Sequence, residues 1–194
     1  ISMKNIFEIE PKTNIPIDSS YIISYPYILS YFSEITHFTI QDVVCGSHMI
    51  YGWMPTILKL HREPPYVDLN EVAEIFTSVK RQGRISNDDL SILVSYVNHS
   101  LVGVSKLLHF ISPEKFAIWD SKIFSFVHEK KPYQYNVSNI EYYRNYLALV
   151  SGLATSIEFD QFNKSVNNKI GYDVSSLRAI ELIMFLNSGQ QSIK

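Results

Sequence analysis

The sequence holds one cysteine, Cys45, among 194 residues. That excludes an intrachain disulfide and any zinc site built on paired cysteines. Such a chain suits a reducing compartment, and a cytoplasmic location is expected. No apolar run approaches the ~20 residues that a membrane-spanning helix needs, and no secretory leader is legible, so no membrane partner is expected. Ile1-Ser2 ahead of Met3 reads as a cloning remnant, and the natural protein is expected to begin at Met3. Charge imbalance is lacking too: there are 17 Lys and Arg and 19 Asp and Glu, for a net charge of −2. This argues against a strongly basic nucleic-acid coat protein, but not against an enzyme that grips DNA through a local patch. Internal repeats, low-complexity tracts and βαβ alternation are also missing.

What is present is apolar and aromatic. Apolar residues make up 46% of the chain, with 13 Tyr and 11 Phe, enough for a sizeable core. Residues 1–20 hold two prolines and little periodicity, and read as an irregular, extended N-terminal arm. Residues 21–194 read as a single helical domain, or as two lobes around a cleft. The fold class expected is all-α.

Helix starts are marked by caps. A helix is expected over Tyr27 to Ile35. Thr39-Ile40-Gln41-Asp42 is a capping box, opening a helix that should run to about Tyr51 and stop before Pro55. Asp68-Leu69-Asn70-Glu71 opens another, with Gly83 as its stop. Ser86-Asn87-Asp88-Asp89 starts a third, with Leu90, Leu93, Val94 and Val97 as its apolar stripe. Ser138-Asn139-Ile140-Glu141 caps a later helix, residues 157 to 172 are ambiguous, and a final helix spans Asp173 to Asn187, ended by Gly189.

The most informative stretch is Leu101 to Val127, LVGVSKLLHFISPEKFAIWDSKIFSFV. Val102-Gly103-Val104-Ser105 reads as a small-residue hairpin between helical patterns, with Lys106 just after it. The apolar run Phe116-Ala117-Ile118-Trp119 then leads to Asp120, which opens an amphipathic pattern. This order, over roughly residues 86–128, resembles the helix-hairpin-helix DNA glycosylase superfamily, in which a hairpin of the type Leu-Pro-Gly-Val-Gly precedes a nucleophilic lysine and a later helix-opening aspartate. Leu101-Val102-Gly103-Val104-Ser105 stands for the hairpin, with Ser105 in place of the second glycine.

The resemblance implies a helical core around that hairpin and release of an extruded, modified base from DNA. It implies Asp120 as the carboxylate that stabilises the sugar cation and Lys106 as an amine that attacks C1′, adding a lyase step to the hydrolase. No metal or organic cofactor is implied. The implied partner is DNA.

The residues themselves support further candidates, each with a plainer alternative. Gly103, Val104 and Ser105 sit where a hairpin meets a helix start, which can hold phosphate or simply join two helices. Arg81 and Arg84, beside Lys80, suit phosphate or a solvated helix end. Trp53, Trp119 and His109 are candidates for a base pocket, or for core packing. Lys106 is otherwise a surface lysine, and Asp120 an ordinary N-cap. His48 and His109 lack metal-ligand spacing, and Cys45 is read as a core residue. A non-catalytic helical module that binds nucleic acid or protein, and an enzyme on a small nucleoside, remain alternatives.

Overall fold

The computed structural model describes residues 5–61 and 67–189. Ile1, Ser2 and Met3 lie outside the described residues. The fold is all-α: among the described residues there are eleven α-helices and one 3-10 helix, and the only pairing of extended backbone is an isolated bridge between Leu60 and Val97. No helix among them is long and apolar enough to cross a membrane. The chain divides into two compact units. A continuous unit is formed by Ser19–Phe116, and a split unit by the described residues of Ile1–Asp18 and Ala117–Lys194.

The continuous unit contains α2 (Ser20–Glu34), α3 (Ile40–Trp53), α4 (Leu69–Gln82), α5 (Asn87–Tyr96) and α6 (Leu101–Ile111). Helix α6 is its axis. The other four helices all pack on it, and every residue of α6 except Val102 is buried. Local sequence sets the peripheral helices. Thr39 Oγ1 accepts from the Asp42 N–H at 3.3 Å while Asp42 Oδ2 accepts from the Thr39 N–H at 2.8 Å, a reciprocal box. Asp68 caps α4 through the Asn70 N–H, and Gly83 ends it at φ 64, a left-handed value that favours glycine. Helix α2 begins at Ser20, well before the expected Tyr27, and runs through Pro26. The missing proline N–H removes one ladder bond, but Ile22, Tyr25, Ile28 and Phe32 bury one face on both sides of it. Cys45, expected in the core, is exposed on α3. The buried stripe of that helix is Val43, Gly46, Ser47 and Ile50 instead.

The split unit contains α1 (Ile6–Ile9), the 3-10 turn Glu10–Lys12, α7 (Ser121–His128), α8 (Gln134–Val137), α9 (Ile140–Leu153), α10 (Phe159–Ile170) and α11 (Ser176–Leu186). Its axis is α11, on which α1, α7, α9 and α10 pack. The ambiguous stretch 157–172 is α10, whose apolar side is Phe159, Phe162, Val166 and Ile170. Asn187 rather than Gly189 closes α11.

The N-terminal arm is helical over residues 6–12, not extended. Asn5 caps α1 through the Phe7 N–H at 3.0 Å, and Ile6 is fully buried. The carboxylate of Glu10, 3% exposed, accepts from Ser165 Oγ at 2.7 Å and pairs with Lys169 Nζ at 2.7 Å. The same ammonium donates to the carbonyls of Glu10 and Thr13 at 2.6 and 3.2 Å, and Asn187 Nδ2 donates to Thr13 Oγ1 at 2.9 Å. Charge and backbone contacts thus hold this segment down alongside its apolar residues Ile6 and Phe7. Lys169→Met removes a charged donor from a buried carboxylate and should lower stability by about 1.5–3 kcal/mol, read as a fall in the urea midpoint. Adding Glu10→Gln should recover part of that loss. An unchanged midpoint in the single variant would show that the segment is held by apolar burial alone.

Candidate functional site

In the continuous unit the turn between α5 and α6 lies at Val97–Ser100, not at Val102–Ser105. Val102, Gly103, Val104 and Ser105 are the first turns of α6, so the hairpin expected there is corrected by one helical turn. Ser100 is the reason: its Oγ accepts from the Gly103 N–H at 3.2 Å and its carbonyl from the Val104 N–H at 3.0 Å. Two residues of the true turn, Asn98 and His99, take left-handed φ values of 53° and 48°. The turn is tied to residues 57–61. Asn98 N–H donates to the Lys59 carbonyl at 3.0 Å, Asn98 Nδ2 to the Ile57 carbonyl at 3.0 Å, and the Lys59 N–H to Asn98 Oδ1. The rings of His61 and His99 lie 4.0 Å apart.

Gly103 is small because of Tyr51. A Cβ at this position would lie 2.0 Å from Tyr51 Oη and 2.7 Å from Cζ, closer than any real contact. Burial raises the pKa of the Tyr51 phenol above the usual tyrosine value, with the nearby Ser100 opposing. Val104 and Ser105 are fully buried, and Ser105 Oγ donates to the Val102 carbonyl at 2.8 Å. The donors proposed for phosphate at Gly103 and Val104 are therefore bonded within the helix start.

Lys106 is 6% exposed, not a surface residue. Buried lysines are the kind from which Schiff-base amines are drawn. His109 is fully buried, with Nδ1 2.7 Å from the Phe116 carbonyl and Nε2 2.8 Å from Tyr25 Oη. A carbonyl can only accept, so Nδ1 carries the proton and Tyr25 donates to Nε2. Trp53 flanks the same Tyr25 ring at 6.4 Å, stacks on Tyr21 at 4.0 Å, and donates its indole N–H to the Tyr21 carbonyl at 3.1 Å. Trp53 and His109 are thus brought together, as parts of an aromatic core. Lys80 donates to the Phe32 carbonyl at 3.0 Å at the end of α2, and burial lowers its pKa, with Glu34 opposing. Arg81 and Arg84 are exposed, and Arg84 Nε donates to Gln82 Oε1 at 2.9 Å.

In the split unit, Asp120 caps α7 as expected, with extended backbone and Oδ1 accepting from the Ile123 N–H at 2.9 Å. It is half-buried, next to a fully buried Trp119 whose indole donates to the Val137 carbonyl at 2.8 Å. Nearby stands a group that the sequence reading passed over. Arg178 and Glu181, 1% and 0% exposed, form an ion pair inside α11. Tyr146, on α9, is buried, and its Oη has no hydrogen-bond partner among the described residues. Burial first, then Glu181, the Tyr143 hydroxyl and Asp120, push this phenol well above the usual tyrosine range, against a smaller pull from Arg178. The signal was legible in part: SLRAIELIMFL is apolar on every side, so its two charges had to be buried with it.

No protein-family model, no curated protein and no solved structure matches this chain.

Gly103→Ala should destabilise the protein by about 1–3 kcal/mol through overpacking against Tyr51. In a Tyr51→Leu background the same change should cost less, a coupling readable in a double-mutant cycle of urea unfolding. Equal costs in both backgrounds would show that Tyr51 is not what requires glycine here.

Proposed function

We propose that the protein is a DNA N-glycosylase-like enzyme that releases an extruded, modified base, with Asp120 as the carboxylate that stabilises the sugar cation. The observation carrying this reading is Asp120 itself. A helix-opening carboxylate needs only one oxygen to cap, and Oδ1 serves that role. The group is half-buried, and a negative charge there acts more strongly on a developing cation than it would in water. The buried Lys106 amine supports the second assignment of the resemblance. Exposed Arg81 and Arg84 supply cations for phosphate.

The second reading, a non-catalytic module that binds nucleic acid or protein, is favoured by a different observation. Both tryptophan indoles and both nitrogens of His109 already have partners within the protein, so the residues expected to line a base pocket are core residues. In this reading Asp120 only caps.

A panel of duplexes carrying uracil, oxidised, alkylated or mispaired bases separates the two. At enzyme excess the glycosylase reading expects free base from at least one member, detected by mass spectrometry. Borohydride present during the reaction should trap a covalent adduct mapping to Lys106, and Lys106→Gln should abolish it. Arg81→Ala with Arg84→Ala should weaken duplex binding to all sequences alike and flatten its salt dependence, by a slope of up to about 1.8. Binding without release from any duplex would favour the module. An adduct that survives Lys106→Gln would move the amine elsewhere.

A further inference from the structure

A cavity of about 430 Å³ lies in the split unit where α7 ends and α9 begins. Its volume is in the range of small-ligand sites. Aromatic rings form much of the wall. Phe124 and His128 on α7 lie 4.6 Å apart, and Tyr142 of α9 meets His128 edge-on at 4.9 Å. Tyr133 and Tyr135 stand at the rim, their planes within 10° and their centroids 5.6 Å apart. The two rings stack on each other, and the residues are 49% and 72% exposed, so each still offers surface to solvent.

The rest of the lining is cationic or neutral. Lys130, Lys131 and Asn136 complete it, and no carboxylate is among the lining residues described. Lys131 Nζ lies 5.5 Å from the Tyr133 ring centre, so a positive charge and an exposed aromatic face adjoin. At the inner wall, His128 Nε2 is shut off from water and has no hydrogen-bond partner among the described residues. Buried polar atoms in folded proteins are nearly always bonded, so an unpaired one in a residue that lines the cavity is unusual.

We propose that this cavity binds a nucleotide unit, with the base on the tyrosine faces and the phosphate at Lys130 and Lys131. A simple anion would account for the lysines but not for two exposed, near-parallel phenol rings. A neutral aromatic would account for the rings but not for a lining with two cations and no acid. A nucleotide has both parts in one molecule, and base stacking with cationic support is how proteins hold unpaired bases. His128 lines the same cavity. Burial, and then Lys130, lower its pKa below the ordinary histidine value. It is therefore uncharged at pH 7 and adds no third cation to the lining. The unit could be a free mononucleotide or one residue of a single strand. Both carry the same chemistry.

The inference does not rest on the glycosylase reading, because none of these residues touches the role given to Asp120. The test is calorimetric titration of the full chain with thymidine monophosphate, thymidine, inorganic phosphate and an oligothymidylate strand. Thymidine monophosphate should bind more tightly than thymidine or phosphate. Tyr133→Ala with Tyr135→Ala should weaken it roughly 5- to 150-fold, and Lys130→Ala with Lys131→Ala should weaken it independently. For the strand, the lysine pair should lower the salt slope by about 1.4. Binding of the strand much tighter than the monophosphate assigns the source as single-stranded nucleic acid, and equal binding assigns a free nucleotide. Either result supports the proposal. Asp120→Asn should bind as wild type, so loss of base release and loss of this site remain distinguishable. All four tyrosine and lysine positions lie at the cavity rim, and matching thermal melts would confirm that the variants fold. No heat with either nucleotide probe overturns the proposal. Phosphate binding as tightly as the monophosphate, indifferent to the tyrosine pair, also overturns it and leaves only an anion patch.

Discussion

The buried ion pair between Arg178 and Glu181 is a constraint at the centre of the split unit. Two charges removed from water carry a desolvation penalty of several kcal/mol each, and only close pairing offsets it. The pair lies inside α11, the helix on which α1, α7, α9 and α10 are arranged. A helix packed on every side has no solvent face for its polar residues, so each must find a partner in the protein. Helices α7 and α9 pack against α11, and Glu181 and Arg178 both act on the buried phenol of Tyr146.

The continuous unit obeys the same constraint around α6. His109 has both nitrogens bonded, Ser105 turns back to its own helix, and Gly103 makes room for Tyr51. Lys106 is the one lysine of that buried helix. A buried lysine carries a desolvation cost that an apolar residue of similar size would not. The same comparison applies to Asp120, where asparagine would cap as well.

Much of the fold was legible in the sequence because helix starts are local. A side chain two or three residues from the first free N–H either bonds it or does not, and Thr39, Asp68, Ser86, Asp120 and Asn139 all do so. The failures share the opposite property. The early helical segment is fixed by Lys169 and Asn187, more than 150 residues away in sequence, and its own composition gives no sign of it. Val102-Gly103-Val104-Ser105 looks like a hairpin because small residues suit turns, but Gly103 answers to Tyr51. That contact has no local signature. Trp53 and Trp119 likewise have the composition of a pocket and the hydrogen bonds of a core. The tyrosines at the α7–α8 rim were lost among the other aromatics of the chain, since only their exposure sets them apart.

The central claim is that the charge of Asp120, and not its capping, is what the protein uses. Asp120→Asn separates the two, because asparagine keeps the cap and removes the charge. The direct measurement is the single-turnover rate of base release by this variant on the duplex cleaved by the wild type, beside the melting temperature of both. The account predicts a melting temperature within a few degrees and a rate lower by roughly 10²–10³. Base release at the wild-type rate would contradict it and leave Asp120 as a helix cap.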